Sequence, residues 1–428
     1  MLRKDKDGSD LQVDILQITA LLIVLAAAFG TINYLFLRLP SAIGILIVAL
    51  LASLGVIGLD LILPNLGVAQ VVRGTVREIE FSQALLNGML GLLLFAGALH
   101  VKVSDLKSQW RLVLLMATLG VGLSTVIAGV GFSWITGMPI MIALVFGALI
   151  SPTDPVAVLG VLRDANLAKT LETKIAGESL FNDGVGYVVF LVLVGLAFPG
   201  DDHQASGVLD AMLLFAQEAV GGLVLGLVLG WLTFRLMRRI NDYSLEVLLT
   251  LALAFGGYEL AIALHVSAPI MAVCAGLLIG DVSNTDAMSE ETRNYVDAFW
   301  KLIDEILNAV LFLMIGFELL IVSFEVDAVL AAFAAIGLAL VARLAAVAIP
   351  VLMLRPFREF SPGVIPVMTW GGLKGGISVA LALSLPESEW TPLILTATYV
   401  VVLFSIVVQG LTVAPLAKHL TKKTSSQT

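Results

Sequence analysis

The sequence predicts an all-α polytopic membrane protein with about 13 transmembrane helices, and three observations predict it. Of its 428 residues, 59% are hydrophobic and only 13% are charged, far from the near-even apolar content and one-quarter charge of a water-soluble domain. Apolar runs recur from residue 15 to residue 416, and about 20 such residues suffice to cross a bilayer. Lys and Arg crowd into alternate connections between those runs, as they do in a chain threaded back and forth through a membrane.

The runs cover residues 15–37, 41–60, 82–100, 111–136, 139–161, 175–198, 208–234, 245–264, 268–281, 302–322, 327–354, 362–385 and 392–416. Residues 1–14 mix acids and bases ahead of an apolar run that leads straight into another, so a short extracytoplasmic N-terminus is expected rather than a cleaved leader. Residues 15–418 then form the transmembrane domain and 419–428 a short cytoplasmic tail. Connections after the odd-numbered runs, with the C-terminus, hold 17 basic residues against five on the other side. This bias places the N-terminus outside and the C-terminus in the cytoplasm, in a cell (plasma or inner) membrane. The net charge of −9, with basic residues scattered along the loops, argues against nucleic acid as a partner. A single cysteine, Cys274, offers neither a disulfide framework nor a thiolate metal cluster.

A charge near the bilayer centre costs roughly 3 kcal/mol on insertion scales, so each one is a functional-site hypothesis. The fifth run contains Ser151-Pro152-Thr153-Asp154-Pro155. Its two prolines lack N–H groups and crowd the carbonyls of Ala148 and Ser151, so the helix is expected to break there. Unwound backbone at membrane depth must line a cavity or be buried in protein, and its freed carbonyls beside Asp154 are expected to be hard oxygen ligands. The sixth run carries Glu178-Ser179-Leu180-Phe181-Asn182-Asp183. Ser179 and Asp183 share one helical stripe, and Glu178 and Asn182 share another. The first stripe can offer a hydroxyl and a carboxylate to a cation, while the second ties into a supporting network. Asp154 and Asp183 fall at similar depth on antiparallel neighbours, which predicts a shared site. Oxygen ligands suit a hard ion such as Na⁺ better than a soft metal, so Asp154 and Asp183 are the expected ion ligands.

The seventh run carries Gly222, Gly226 and Gly230 at spacing four, a close-packing face that serves either within the chain or across a dimer. In the eleventh run Arg343 lies deep in the apolar stretch and needs a counter-charge, which Glu178 can supply. The twelfth run contains Gly371, Gly372, Lys374, Gly375 and Gly376, which should interrupt that helix as Pro152 and Pro155 interrupt the fifth. Breaks in runs five and twelve of thirteen fit two inverted six-helix repeats flanking the seventh, with the binding site at the breaks. Asp60, Glu259, Asp281, Asp304, Glu305 and Glu318 lie nearer predicted helix ends, where structural roles are expected.

Thr153-Asp154-Pro155, the Glu178-Ser179…Asn182-Asp183 run and Gly371-Gly372-Leu373-Lys374-Gly375 together resemble the cation/proton antiporter superfamily, in its sodium/proton exchanger branch. The resemblance implies a thirteen-helix inverted-repeat fold, a homodimer and alternating access. It also implies a cation and a proton competing for Asp183, with support from Thr153, Asp154, Ser179 and Asn182 and an ion pair between Glu178 and Arg343. Lys374 stands where that branch often has arginine. Asn182-Asp183, where relatives with two-proton exchange have paired aspartates, points to electroneutral one-for-one exchange in pH and cation homeostasis. The cation is expected to be Na⁺, with Li⁺ or K⁺ as alternatives, and no cofactor is implied.

Rival functions meet the sequence less well. Gly184-Val185-Gly186-Tyr187 echoes a K⁺-channel filter, but Val188 replaces the final glycine. Intramembrane aspartyl proteases carry Gly-x-Gly-Asp, and serine types Gly-x-Ser-x-Gly, neither of which is present. An ATP-driven pump would need a phosphate loop, also absent.

Overall fold

Apolar side chains all around a segment leave no polar face to turn towards water, so such segments form helices that bury themselves in protein or lipid. A computed structural model of the chain describes residues 15–63, 67–79, 81–155, 158, 169–198, 208–282, 290–322, 326–357, 360 and 363–425, all helix or connection with no strand among them. The helices are α1 (Ile15–Ile32), α2 (Ser41–Ile62), α3 (Val68–Glu78), α4 (Leu90–Leu99), α5 (Val103–Leu115), α6 (Val121–Thr136), α7 (Ile140–Leu149) and α8 (Lys169–Ala197). They continue with α9 (Val208–Met237), α10 (Tyr243–Ala263), α11 (Ala268–Val282), α12 (Glu290–Glu318), α13 (Val326–Leu354), α14 (Val364–Trp370), α15 (Gly376–Leu383), α16 (Thr391–Phe404) and α17 (Gly410–Ser425).

Short π-helical stretches at 84–89, 116–120 and 405–409 join helices into longer rods. Among the described residues nine rods or helices are long and apolar enough to cross a membrane, while Ile140–Leu149 and Ala268–Asp281 are shorter apolar helices. Eleven of the thirteen runs read from the sequence meet one of these elements, while the tenth falls on α12 and the twelfth on the two short helices α14 and α15. The N-terminal segment 1–14 and residues 156, 157 and 159–161 of the fifth run lie outside the described residues, and α17 continues through most of the segment read as the tail.

Two boundaries move a site. The tenth run was expected to begin near residue 302, but α12 begins at Glu290, because its first three turns are polar and escape an apolar-run criterion. Asp304 and Glu305 therefore sit near the middle of a helix and not at its end. Similarly α8 starts at Lys169, which leaves Asp183 fourteen residues from either end.

The glycine ladder of α9 packs within the chain. A Cβ at Gly222 would lie 2.4 Å from the Ser267 carbonyl oxygen and one at Gly226 2.5 Å from that of Met271, while Gly230 faces Ala275. The absent side chains thus let α9 and α11 approach backbone to backbone. The opposite face of α9 exposes Val220, Val224, Val228 and other large apolar side chains, the surface a bilayer would cover.

Candidate functional site

Both predicted helix breaks exist, and they cross each other. α7 ends at Leu149 and residues 151–155 run on without helix; α14 ends at Trp370, and the chain resumes helix only at Gly376. At the crossing the Asp154 N–H donates to the Leu373 carbonyl at 2.8 Å. Gly375 lies so near that a Cβ there would be 2.6 Å from Asp154 Oδ2. Pro152 packs on Gly186 of α8, where a Cβ would stand 2.7 Å from its ring, and Pro155 lines the cavity beside Asp154.

The carbonyls freed at the first break already accept hydrogen bonds from within the protein. The Ala148 oxygen accepts from the N–H and hydroxyl of Ser151, at 3.1 and 2.9 Å. The Ser151 and Pro152 oxygens accept from Lys374 Nζ, at 3.1 and 3.2 Å. A buried ammonium reaching from the second break thus occupies acceptors left by the first. The charges also suit the half-helix ends, since Lys374 stands at the C-terminal end of α7 and Asp154 at the N-terminal end of α15. In turn the Lys374 N–H donates to Ser405 Oγ at 2.8 Å, and Gln409 Nε2 donates to the Trp370 carbonyl at 3.1 Å. Ser405 and Gln409 are the first and last residues of the π-helical stretch 405–409, and nothing in their sequence context marks them as props for the second break.

α8 supplies the remaining residues. Asn182 Oδ1 accepts from the Thr153 N–H at 3.2 Å, and Asn182 Nδ2 donates to Thr153 Oγ1 at 2.7 Å. Ser179 and Thr153 share a hydroxyl hydrogen bond of 3.0 Å. Glu178 does not join Asn182, contrary to the single supporting network expected for their shared stripe. It receives both terminal nitrogens of Arg343, the Nη2–Oε2 distance being 2.8 Å, and Arg343 also donates to the Met368 carbonyl at 3.1 Å. Gly372 makes room for that guanidinium: a Cβ there would lie 2.0 Å from Arg343 Nε.

A cavity of about 620 Å³ reaches this crossing. Thr153, Asp154 and Asp183 form its floor with Gly375 and Ser378, and its mouth includes Ser41, His100, Lys102, Lys301 and Glu305, all exposed. Asp304 and Asn308 line the wall between, with Asn308 Nδ2 donating to Asp304 Oδ1 at 2.9 Å. Asp183 is 6% exposed, and its Oδ1 is buried with no hydrogen-bond partner among the described residues. Ser179 and Asn182 stand behind this floor, tied to Thr153. The floor therefore offers carboxylate and hydroxyl oxygens and no nitrogen or sulfur acceptor, a set suited to a hard cation. The segment 184–187 continues α8 without a re-entrant loop, unlike a channel filter.

Known proteins resemble this chain in sequence and fold. The family model described as sodium/hydrogen exchanger, transmembrane, matches residues 21–419. The Na⁺/H⁺ antiporter NhaP of Pseudomonas aeruginosa is 49% identical over 416 residues, 95% of this chain and 97% of that protein. NhaH of Halobacillus aidingensis, also a Na⁺/H⁺ antiporter, is 34% identical over 370 residues, covering 86% and 91% respectively. The solved sodium proton antiporter MjNhaP1 of Methanocaldococcus jannaschii matches with a TM-score of 0.74 across 95% of this chain and 98% of its own, at 19% identity, a likeness of fold. A matched span that covers nearly the whole chain, with two broken helices crossing beside buried carboxylates, makes this multi-pass membrane protein a secondary transporter of the sodium/hydrogen exchanger family.

Proposed function

We propose that the protein exchanges Na⁺ for H⁺ by alternating access, with Asp183 holding one cation or one proton at a time. The observation that carries this reading is the Asp183 carboxylate, at the midpoint of α8 and on the floor of a cavity, with Oδ1 buried and unpartnered among the described residues. Glu178 is neutralised by Arg343, and the residue beside Asp183 on α8 is the uncharged Asn182. Exchange at the one titrating carboxylate that α8 leaves unpaired supports electroneutral one-for-one stoichiometry. Competition for a single carboxylate couples the two fluxes, since neither ion binds while the other is present.

The mouth of the cavity lies among connections that the basic-residue bias assigns to the cytoplasm, so this conformation faces inward. In the same reading the chain crosses a cell membrane thirteen times with its N-terminus outside, works as a homodimer, and serves pH and cation homeostasis. Asp154 positions the cation, Thr153 lies beside it, and Ser179 and Asn182 hold Thr153.

Everted vesicles with an acid interior test the reading, with a pH dye reporting proton efflux after addition of Na⁺, Li⁺ or K⁺. Wild-type protein should dequench the dye with Na⁺, Asp183→Asn should be silent, and Asp154→Asn should be strongly impaired. Transport by Asp183→Asn at the wild-type rate would overturn the site assignment. A rate that changes when the membrane potential is clamped would overturn the stoichiometry.

A further inference from the structure

We infer that the Ser378 hydroxyl is a ligand of the transported cation, contributed by the half-helix α15; the inference rests on Asp183 and Asp154 being the cation site. Ser378 is 1% exposed, and its Oγ has no hydrogen-bond partner among the described residues. A buried hydroxyl left unpaired keeps its full desolvation penalty, so its retention calls for a partner that is present only part of the time. The hydroxyls of Thr125, Thr369 and Thr398 share this orphan state. Of these four residues only Ser378 lies on the wall of the cavity that holds Thr153, Asp154 and Asp183.

Local geometry explains why the hydroxyl stays uncommitted. A helical serine or threonine usually satisfies itself on the carbonyl four residues back, as Thr396 does on Pro392 at 2.9 Å and Thr118 on Leu114 at 2.7 Å. Ser378 is the third residue of α15, so the carbonyl four back belongs to Lys374, inside the break. Gly375, the N-cap of α15, abuts Asp154, and Ser378, in the first turn of that helix, lines the same cavity as that carboxylate.

The other side-chain hydroxyl on the floor is already engaged, because Thr153 Oγ1 is bonded to both Asn182 and Ser179. A dehydrated hard cation needs several oxygens, and a hydroxyl adds one without adding charge. Ser378 therefore tunes cation affinity while leaving the one-for-one charge balance untouched. Through it the ion joins α8 to the second broken helix as well as the first.

The test compares Ser378→Ala, Ser378→Thr and Asp183→Asn in everted vesicles across a Na⁺ titration, with the melting temperature of each purified protein measured with NaCl and with choline chloride. Ser378→Ala should raise the half-saturating Na⁺ concentration about five- to tenfold with the maximal rate within a factor of two. Its Na⁺-dependent rise in melting temperature should shrink, and Ser378→Thr should restore both. An unchanged half-saturating concentration in Ser378→Ala overturns the proposal. So does a lower melting temperature in choline with no change in Na⁺ dependence, which would make the hydroxyl structural. If Asp183→Asn still transports, the site reading itself fails. If Asp183→Asn is silent and Ser378→Ala behaves as wild type, only the Ser378 assignment falls.

Discussion

Glu178 and Arg343 meet although they lie 165 positions apart, and both side chains are almost wholly buried. Breaking a buried pair by removing one partner typically costs about 3–5 kcal/mol, because the survivor is left as an uncompensated charge. Arg343→Met and Glu178→Gln alone should each lower the melting temperature in detergent markedly, while the double variant should lose much less than the two losses combined. Additive losses would show that the two groups do not stabilise each other. The need for such a partner was legible in the sequence, since a guanidinium deep in an apolar run must find a carboxylate. The contacts of Lys374 were not legible: they depend on two breaks crossing, and no local pattern near residue 374 says which carbonyls from 223 positions away will be within reach. Gly372 and Gly375 read as helix breakers, but their closest constraint is space for Arg343 and Asp154.

Among elements, the proline and glycine clusters predicted both interruptions because backbone chemistry is local. What repairs an interruption is not local, which is why no sequence pattern marks Ser405 and Gln409. The start of α12 was hidden because polar turns that extend a spanning helix look like a loop when only apolar runs are sought. The α9–α11 contact gives a clean comparison between glycines. Gly226→Ala places a Cβ against the Met271 backbone and should destabilise the protein strongly, whereas nothing lies within 4 Å of a Cβ at Gly256. Gly256→Ala should be neutral or gain up to about 1 kcal/mol from helix propensity, and equal melting temperatures for the two variants would contradict the packing. At the start of α10, Asp242 Oδ1 accepts from the Ser244 hydroxyl at 2.6 Å and from the N–H groups of Ser244 and Leu245 at 2.9 and 3.1 Å. These bonds, the hydroxyl foremost, hold its carboxyl below the usual carboxylate range. The cap is fully present above the ordinary value near 4 and is lost as pH falls through the lowered one. Hydrogen exchange at the Ser244 and Leu245 amides should accelerate, beyond its intrinsic pH dependence, over that acid window in the wild type. In Asp242→Asn, which caps without titrating, it should not.

At the scale of the whole molecule, composition and loop charge were enough to predict a many-helix membrane protein, because the bilayer imposes length and polarity on every segment alike. Which helices touch was not available from those quantities, since lipid and protein interiors select similar side chains. The cavity supplies a test of sidedness. In a Cys274→Ser background, Ser41→Cys and Glu305→Cys at its mouth should react with a membrane-impermeant maleimide in everted vesicles and resist it in right-side-out vesicles. Labelling from the opposite face would reverse the proposed orientation. The placement of Asp183 has a mechanical consequence for such a two-sided device. With fourteen residues of α8 on either hand, the carboxylate is the pivot of an equal-armed balance. Under the proposed exchange, rigid displacement of α8 would carry that carboxylate from one aqueous phase towards the other without melting the helix.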